Sequence, residues 1–155
     1  AIINNRVDQI YTVVEPKQPA EEVKLPGSEI LDIFSEDGKL ADYMKDYEYR
    51  EEQIKVVEEI IDVFNDYKYS FIEAGTGTGK SFAYLIPALY WTYHNEETVV
   101  VSTNTINLQE QLINKDLVLL KKILPFNFKS VLVKGRGNYV CLRKLKRFQK
   151  RPVIF

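Results

Sequence analysis

An α/β fold, with a parallel sheet flanked by helices and preceded by an extended N-terminal arm, is predicted by three features of this sequence. Short runs rich in β-branched or aromatic residues recur at Tyr69–Ile72, Glu97–Ser102 and Phe128–Val133. Each is separated from the next by a segment of helical character, long enough for a crossover between parallel strands. The first run also passes through a glycine-rich turn directly into an apolar helical stretch, SFAYLIPALYWTY.

The elements follow in order. Residues 1–27 carry Pro16, Pro19, Pro26 and Gly27 without a sustained period, and read as a linker or arm with a short strand at Tyr11–Val14. Ser28–Phe34 is predicted as a short helix capped by Ser28, and Leu40, Tyr43 and Met44 mark another helical turn after the Ser35–Gly38 turn. Arg50–Tyr67 is the clearest amphipathic helix. Gln53 or Ile54, Val57, Ile60 or Ile61 and Phe64 form its stripe, and Glu51, Glu52, Glu58, Glu59 and Asp62 face outward. Ser81–Tyr93 is apolar almost all round, so burial is expected, with a kink or an early break at Pro87. After the Glu97–Ser102 strand, Thr103, Asn104 and Thr105 can cap a helix through Leu108, Leu112 and Ile113. A further helical piece, Asp116–Leu124, stops before Pro125. After the third strand, Asn138–Arg151 is basic and helical, with Val140, Leu142, Leu145 and Phe148 interspersed. There is no internal repeat and no low-complexity tract.

A length of 155 residues suits one domain, and 45% hydrophobic with 28% charged residues is ordinary globular material. No apolar run reaches the ~18 residues of a membrane span, and the N-terminus lacks a signal-peptide layout. A single cysteine excludes an internal disulfide framework and favours a reducing, cytoplasmic setting. The net charge of −1 conceals an asymmetry: residues 117–155 hold 11 Lys/Arg and no acid, and all 22 Asp/Glu lie before them. Such a block is either a solvated basic face or the footprint of a polyanion.

The chemistry concentrates at Ala74–Ser81. Gly75, Gly77 and Gly79 let the backbone curl so that successive N–H groups face an anion, with Thr76 and Thr78 between them. A helix opening at about Lys80 adds the positive end of its dipole. Lys80 can reach the β- and γ-phosphates of a nucleotide, and the Ser81 hydroxyl can join the Mg²⁺ that accompanies ATP. This is the phosphate-binding loop of nucleoside-triphosphatases, with Ala74 in place of its usual first Gly. The bland alternative is a glycine turn that merely links strand to helix.

Three further stretches resemble the DinG/XPD-type, iron–sulphur branch of superfamily 2 DNA helicases, DinG most closely. Tyr47-Glu-Tyr-Arg50-Glu-Glu-Gln53 is similar to the family's adenine-recognition segment. There the Gln53 amide would pair with adenine, Tyr47 or Tyr49 would form an apolar wall, and Arg50 would hold the loop or stack. Val99–Asp116 resembles the motif that holds phosphates of one DNA strand, implying roles for Thr103, Asn104, Thr105 and Gln109, although the family often has His where Asn104 stands. Val133–Cys141 resembles a KGRxNYxC segment, with Gly137 where Ser is common. It implies that Arg136 lies near single-stranded DNA and that Cys141 is the first ligand of a [4Fe–4S] cluster in a longer parent. One cysteine cannot hold such a cluster within this chain, and the alternative is an ordinary half-buried thiol.

The resemblance implies a RecA-like P-loop fold. Residues 28–155 would be the N-terminal part of a helicase ATP-binding domain, ending before the DEAH-type acidic motif, and residues 1–27 a linker. It implies ATP and Mg²⁺ as ligands, single-stranded or forked DNA as partner, and a role in repair or replication, with Lys80 and Ser81 as the catalytic pair. A small P-loop kinase or nucleotide transferase, and a non-catalytic nucleotide- or nucleic-acid-binding module, are the alternatives.

Overall fold

The computed structural model describes residues 22–75 and 77–150. The Tyr11–Val14 strand, most of the N-terminal arm, Thr76 and Arg151 lie outside the described residues.

Seven α-helices are found among them: α1 Gly27–Asp32, α2 Lys39–Tyr43, α3 Glu51–Asp66, α4 Lys80–Asn95, α5 Ile106–Gln111, α6 Leu117–Ile123 and α7 Leu142–Lys150. A π-helical turn, Leu112–Asp116, joins α5 to α6, and a 3₁₀ turn, Arg136–Asn138, precedes α7. The core forms where α3 lies along α4, with α1 against α3, α2 against α6 and the π turn against α4. Val57 and Ile61 of α3 meet a buried run of α4 that includes Ala83, Leu85, Ile86, Leu89, Tyr90 and Trp91. Leu112, Leu117, Leu120 and Ile123 close the same cluster from the other side.

Helix positions follow the sequence pattern closely, with three corrections. First, α1 begins at Gly27 with Pro26 as its N-cap and no side-chain cap. Ser28 therefore falls inside the first turn, where it cannot cap. Second, α4 does not break at Pro87 but runs unbroken from Lys80 to Asn95. Pro87 is wholly buried, so packing on both sides of the ring offsets the hydrogen bond its missing N–H forfeits. Third, the last residues of the expected linker are fastened down. The N–H of Val23 donates to Asn95 Oδ1 at 2.7 Å, that of Leu25 donates to Asn65 Oδ1 at 2.7 Å, and Leu25 is buried. Those two asparagines end α4 and the last turn of α3, so one short segment ties both helices together.

The Leu112–Asp116 π turn was not expected. An extra residue in the helical path lets Leu112, Asp116 and Leu117 all face inward, which a regular helix at that spacing does less well. Aromatic contacts fasten the C-terminal half of α4. Phe64 and Tyr67 lie 5.3 Å and 5.9 Å from Trp91, and Tyr93 stacks on Phe126 at 4.2 Å.

The three stretches expected as strands form no ladder among the described residues, and their apolar side chains stand largely in solvent. Phe71 is 101% exposed, Val100 85% and Val131 83%. These stretches have the composition of strands, but a strand satisfies its backbone hydrogen bonds only when a neighbouring strand lies alongside.

Candidate nucleotide-binding site

The loop between Glu73 and α4 is shaped by two glycines in the left-handed region, Gly77 at φ +82° and Gly79 at φ +71°. A side chain strains that conformation, which is why glycine recurs here. Gly79 is the N-cap of α4, and no side chain occupies the cap, so the first N–H groups of the helix are not taken up by one.

Lys80, the first residue of α4, folds back along the loop. Its Nζ donates to the carbonyl of Ala74 at 2.7 Å and also to that of Gly75. The Thr78 hydroxyl donates to the Gly75 carbonyl at 3.0 Å. Ala74, where the usual pattern has Gly, takes part through its carbonyl. Thus one ammonium group and two left-handed glycines gather the loop around the start of a sixteen-residue helix.

Behind the loop stands the N-terminal end of α3. The Arg50 guanidinium donates to the Gly77 carbonyl and is paired with Glu48 at 2.8 Å. Gln53, 4% exposed, donates from Nε2 to the Gly79 carbonyl at 2.9 Å. Tyr47 places its hydroxyl on the Phe34 carbonyl at 2.6 Å, and burial pushes its phenol pKa above the ordinary value. The segment expected to face adenine therefore packs against the loop and the core.

Ser81 lies half-buried in the first turn of α4, beside Tyr84 and Asp116. Burial pushes the Asp116 carboxyl above the usual range, and hydrogen bonding to Gln111 and Ser81 opposes that rise. Gln111 Nε2 donates to Asp116 Oδ2 at 3.3 Å. Asp116 is a buried acid that the sequence did not single out. An acid between two apolar helical segments was the available signal, but only the π turn directs it inward.

The remaining candidates are spread out. Thr105 caps α5, accepting from the Leu108 N–H at 3.3 Å. The Thr103 hydroxyl oxygen is buried and has no partner among the described residues. Asn104 is exposed, Gln109 is half-buried, and Arg136 is exposed on the 3₁₀ turn. Cys141 is exposed rather than half-buried. Among the described residues no group of three or more His, Cys, Asp or Glu side chains could hold a metal ion. One exposed thiol does not fit a four-iron cluster. No helix among the described residues is long and apolar enough to cross a membrane.

Comparison with known proteins identifies the family. The family model for the DEAD/DEAH box helicases matches residues 50–154. An ATP-dependent DNA helicase, YoaA of Haemophilus influenzae, is 42% identical over 127 residues, 82% of this chain and 19% of that protein. The DinG of Bacillus subtilis, named a 3′-5′ exonuclease, is 35% identical over 107 residues, 69% of this chain and 12% of that protein. The ATP-dependent helicase DinG of Mycobacterium tuberculosis is 42% identical over 100 residues, 62% of this chain and 15% of its own length. This chain thus spans less than a fifth of these relatives. No solved structure matches it. The residues matched by the family model cover more than half of the chain, which therefore belongs to the DEAD/DEAH box helicase family.

Proposed function

We propose that this chain is the ATP-binding portion of a DinG-like, ATP-dependent DNA helicase acting in DNA repair or replication. The carrying observation is the loop geometry. Two left-handed glycines feed a helix whose first residue is a lysine already wrapped round the loop. On this reading residues 28–155 are the N-terminal part of the ATP-binding domain, and residues 1–27 lead into it. Backbone N–H groups from Ala74 to Gly79 hold the phosphate chain, and Lys80 neutralises its outer charge. Ser81 would be the protein's ligand to Mg²⁺, which supplies further neutralisation of the β- and γ-oxygens. The Tyr47–Gln53 segment belongs to the same nucleotide site.

The DNA side of the reading rests on the Thr103–Gln109 segment and on the basic stretch that includes Arg136. The exposed Asn104 suits phosphate contacts that carry no sequence information, and the Thr103 hydroxyl, buried without a partner among the described residues, would join it only by turning outward. The partner is single-stranded or forked DNA. The names of the relatives favour the helicase reading over a P-loop kinase. The three stretches expected as strands would pair as the parallel sheet of a RecA-like domain, and the setting would be cytoplasmic.

The test is ATP hydrolysis by the intact gene product, with and without single-stranded DNA. Stimulation by the strand is expected, and hydrolysis indifferent to DNA would overturn the helicase assignment. Lys80→Ala is expected to weaken ATP binding by about 1.5–3 kcal/mol, the worth of a charge-assisted contact. Unaltered binding in a titration of that variant would remove the phosphate-loop reading.

A further inference from the structure

α3 and α4 run side by side in the same direction, because their starts meet and their ends meet. Gln53, in the first turn of α3, donates to the Gly79 carbonyl at the start of α4. Phe64, near the end of α3, lies 5.3 Å from Trp91, near the end of α4. One end of the pair therefore carries the phosphate loop. The other end, roughly 20 Å away at the helical rise per residue, is where Glu22–Pro26 docks.

That segment is held through its backbone. Asn95 accepts from the Val23 N–H at 2.7 Å and donates through Nδ2 to the Val23 carbonyl at 3.0 Å, as a neighbouring strand would. Asn65 accepts from the Leu25 N–H at 2.7 Å, and the Leu25 side chain joins the buried core. Each helix thus gives one asparagine to the same short segment. Release exposes little besides Leu25, since Glu22, Val23 and Lys24 are already in solvent. Just past their last turns the helices end on left-handed residues that are not glycine, Tyr67 and Glu96, both at φ +52°. Such backbone persists where its surroundings hold it.

Between the two ends, apolar packing draws the helices together but is non-directional, so hydrogen bonds are what set their register along the axis. A slide of about 1 Å, ordinary for packed helices, would stretch the 2.9 Å Gln53–Gly79 bond beyond hydrogen-bonding range. The bonds at the far end oppose that slide. Resting on the nucleotide-site reading above, we propose that Glu22–Pro26 is a releasable strap whose docking on Asn65 and Asn95 fixes the register of α3 on α4. Docking and nucleotide binding then strengthen each other.

The experiment measures hydrogen exchange at the Val23 and Leu25 amides, and affinity for Mg²⁺ and a non-hydrolysable ATP analogue, both on the intact gene product. Asn95→Ala is expected to speed exchange at Val23 by about tenfold, and Asn65→Ala to do the same at Leu25. Each should weaken nucleotide binding by about fivefold, the low end of coupling between sites. Reciprocity requires that saturating nucleotide slow exchange at both amides in the wild type. Ile123→Val, which trims the buried face of α6, should lower the melting temperature and leave nucleotide affinity unaltered. Two asparagine variants are made so that one serves if the other does not fold.

Rapid exchange at both amides in the wild type would overturn the proposal. So would unchanged affinity in the asparagine variants, or exchange in the wild type that ignores nucleotide. An equal loss of affinity in Ile123→Val would overturn it too, by tracing the effect to stability alone. Lys80→Ala separates these outcomes from failure of the underlying reading. If that variant binds the analogue as tightly as the wild type, the pocket is not a phosphate site and the coupling falls with it. If binding weakens, only the strap is at stake.

Discussion

Gly79 carries two independent constraints. Its φ of +71° is strained for any side chain, and a methyl there would meet the Gln53 amide at 2.2 Å. Gly77 has a similar φ of +82°, but nothing lies within 4 Å of where its Cβ would be. Gly79→Ala is therefore expected to destabilise the fold by about 1–3 kcal/mol and to depress nucleotide affinity. Gly77→Ala serves as the comparison, carrying the conformational strain alone. Thermal melts and nucleotide titration of both variants check this, and equal effects at the two positions would mean that the Gln53 contact contributes nothing. The importance of the glycines was legible in the spacing of the loop. The difference between them was not, since it depends on a residue that stands 26 positions earlier.

At the scale of elements, the π turn that ends α5 rotates Asp116 into the interior, where it is 7% exposed. Its folded pKa is raised above the ordinary 3.8, mainly by burial. A raised carboxyl pKa means that the folded state binds the proton more readily than the unfolded one. Asp116 therefore lowers stability above its folded pKa, and the loss is recovered as pH falls through that value toward 3.8. Asp116→Asn, which keeps the shape and an acceptor for Gln111, is expected to raise the melting temperature at pH 8. The advantage should shrink as the solution is acidified, and a pH-independent difference would show that burial of the charge is not the cause. Periodicity correctly marked the helical segments on either side of this turn. It could not mark the turn itself, because an inserted residue is favoured only by what α4 offers opposite.

At the scale of the whole molecule, helix packs on helix while the three stretches expected as strands form no ladder among the described residues. Phe71, Val100 and Val131 display the apolar side chains that a sheet would cover. If the stretches pair in the intact gene product, amides at Phe71–Ile72, Val99–Val101 and Val131–Val133 should exchange with solvent more slowly than those of the exposed α7. Exchange as fast as in an unstructured peptide would end the parallel-sheet expectation. Charge is also distributed at this scale. All 22 acids lie before residue 117, and exposed Arg143, Lys146, Arg147 and Lys150 share the α7 surface.

The sequence alone determined the helices, the glycine loop, its lysine and the family, because these are local. A helix closes its hydrogen bonds within its own segment, and the loop needs only the right residues at the right spacing. The tertiary structure decided what is not local. It carried α4 through Pro87, turned Asp116 inward beside Ser81, and set Gln53 beneath Gly79. Each of those outcomes depends on a partner far away in the chain that no periodicity announces. The expected strands are not local either, since an extended backbone gains stability only from the neighbour beside it.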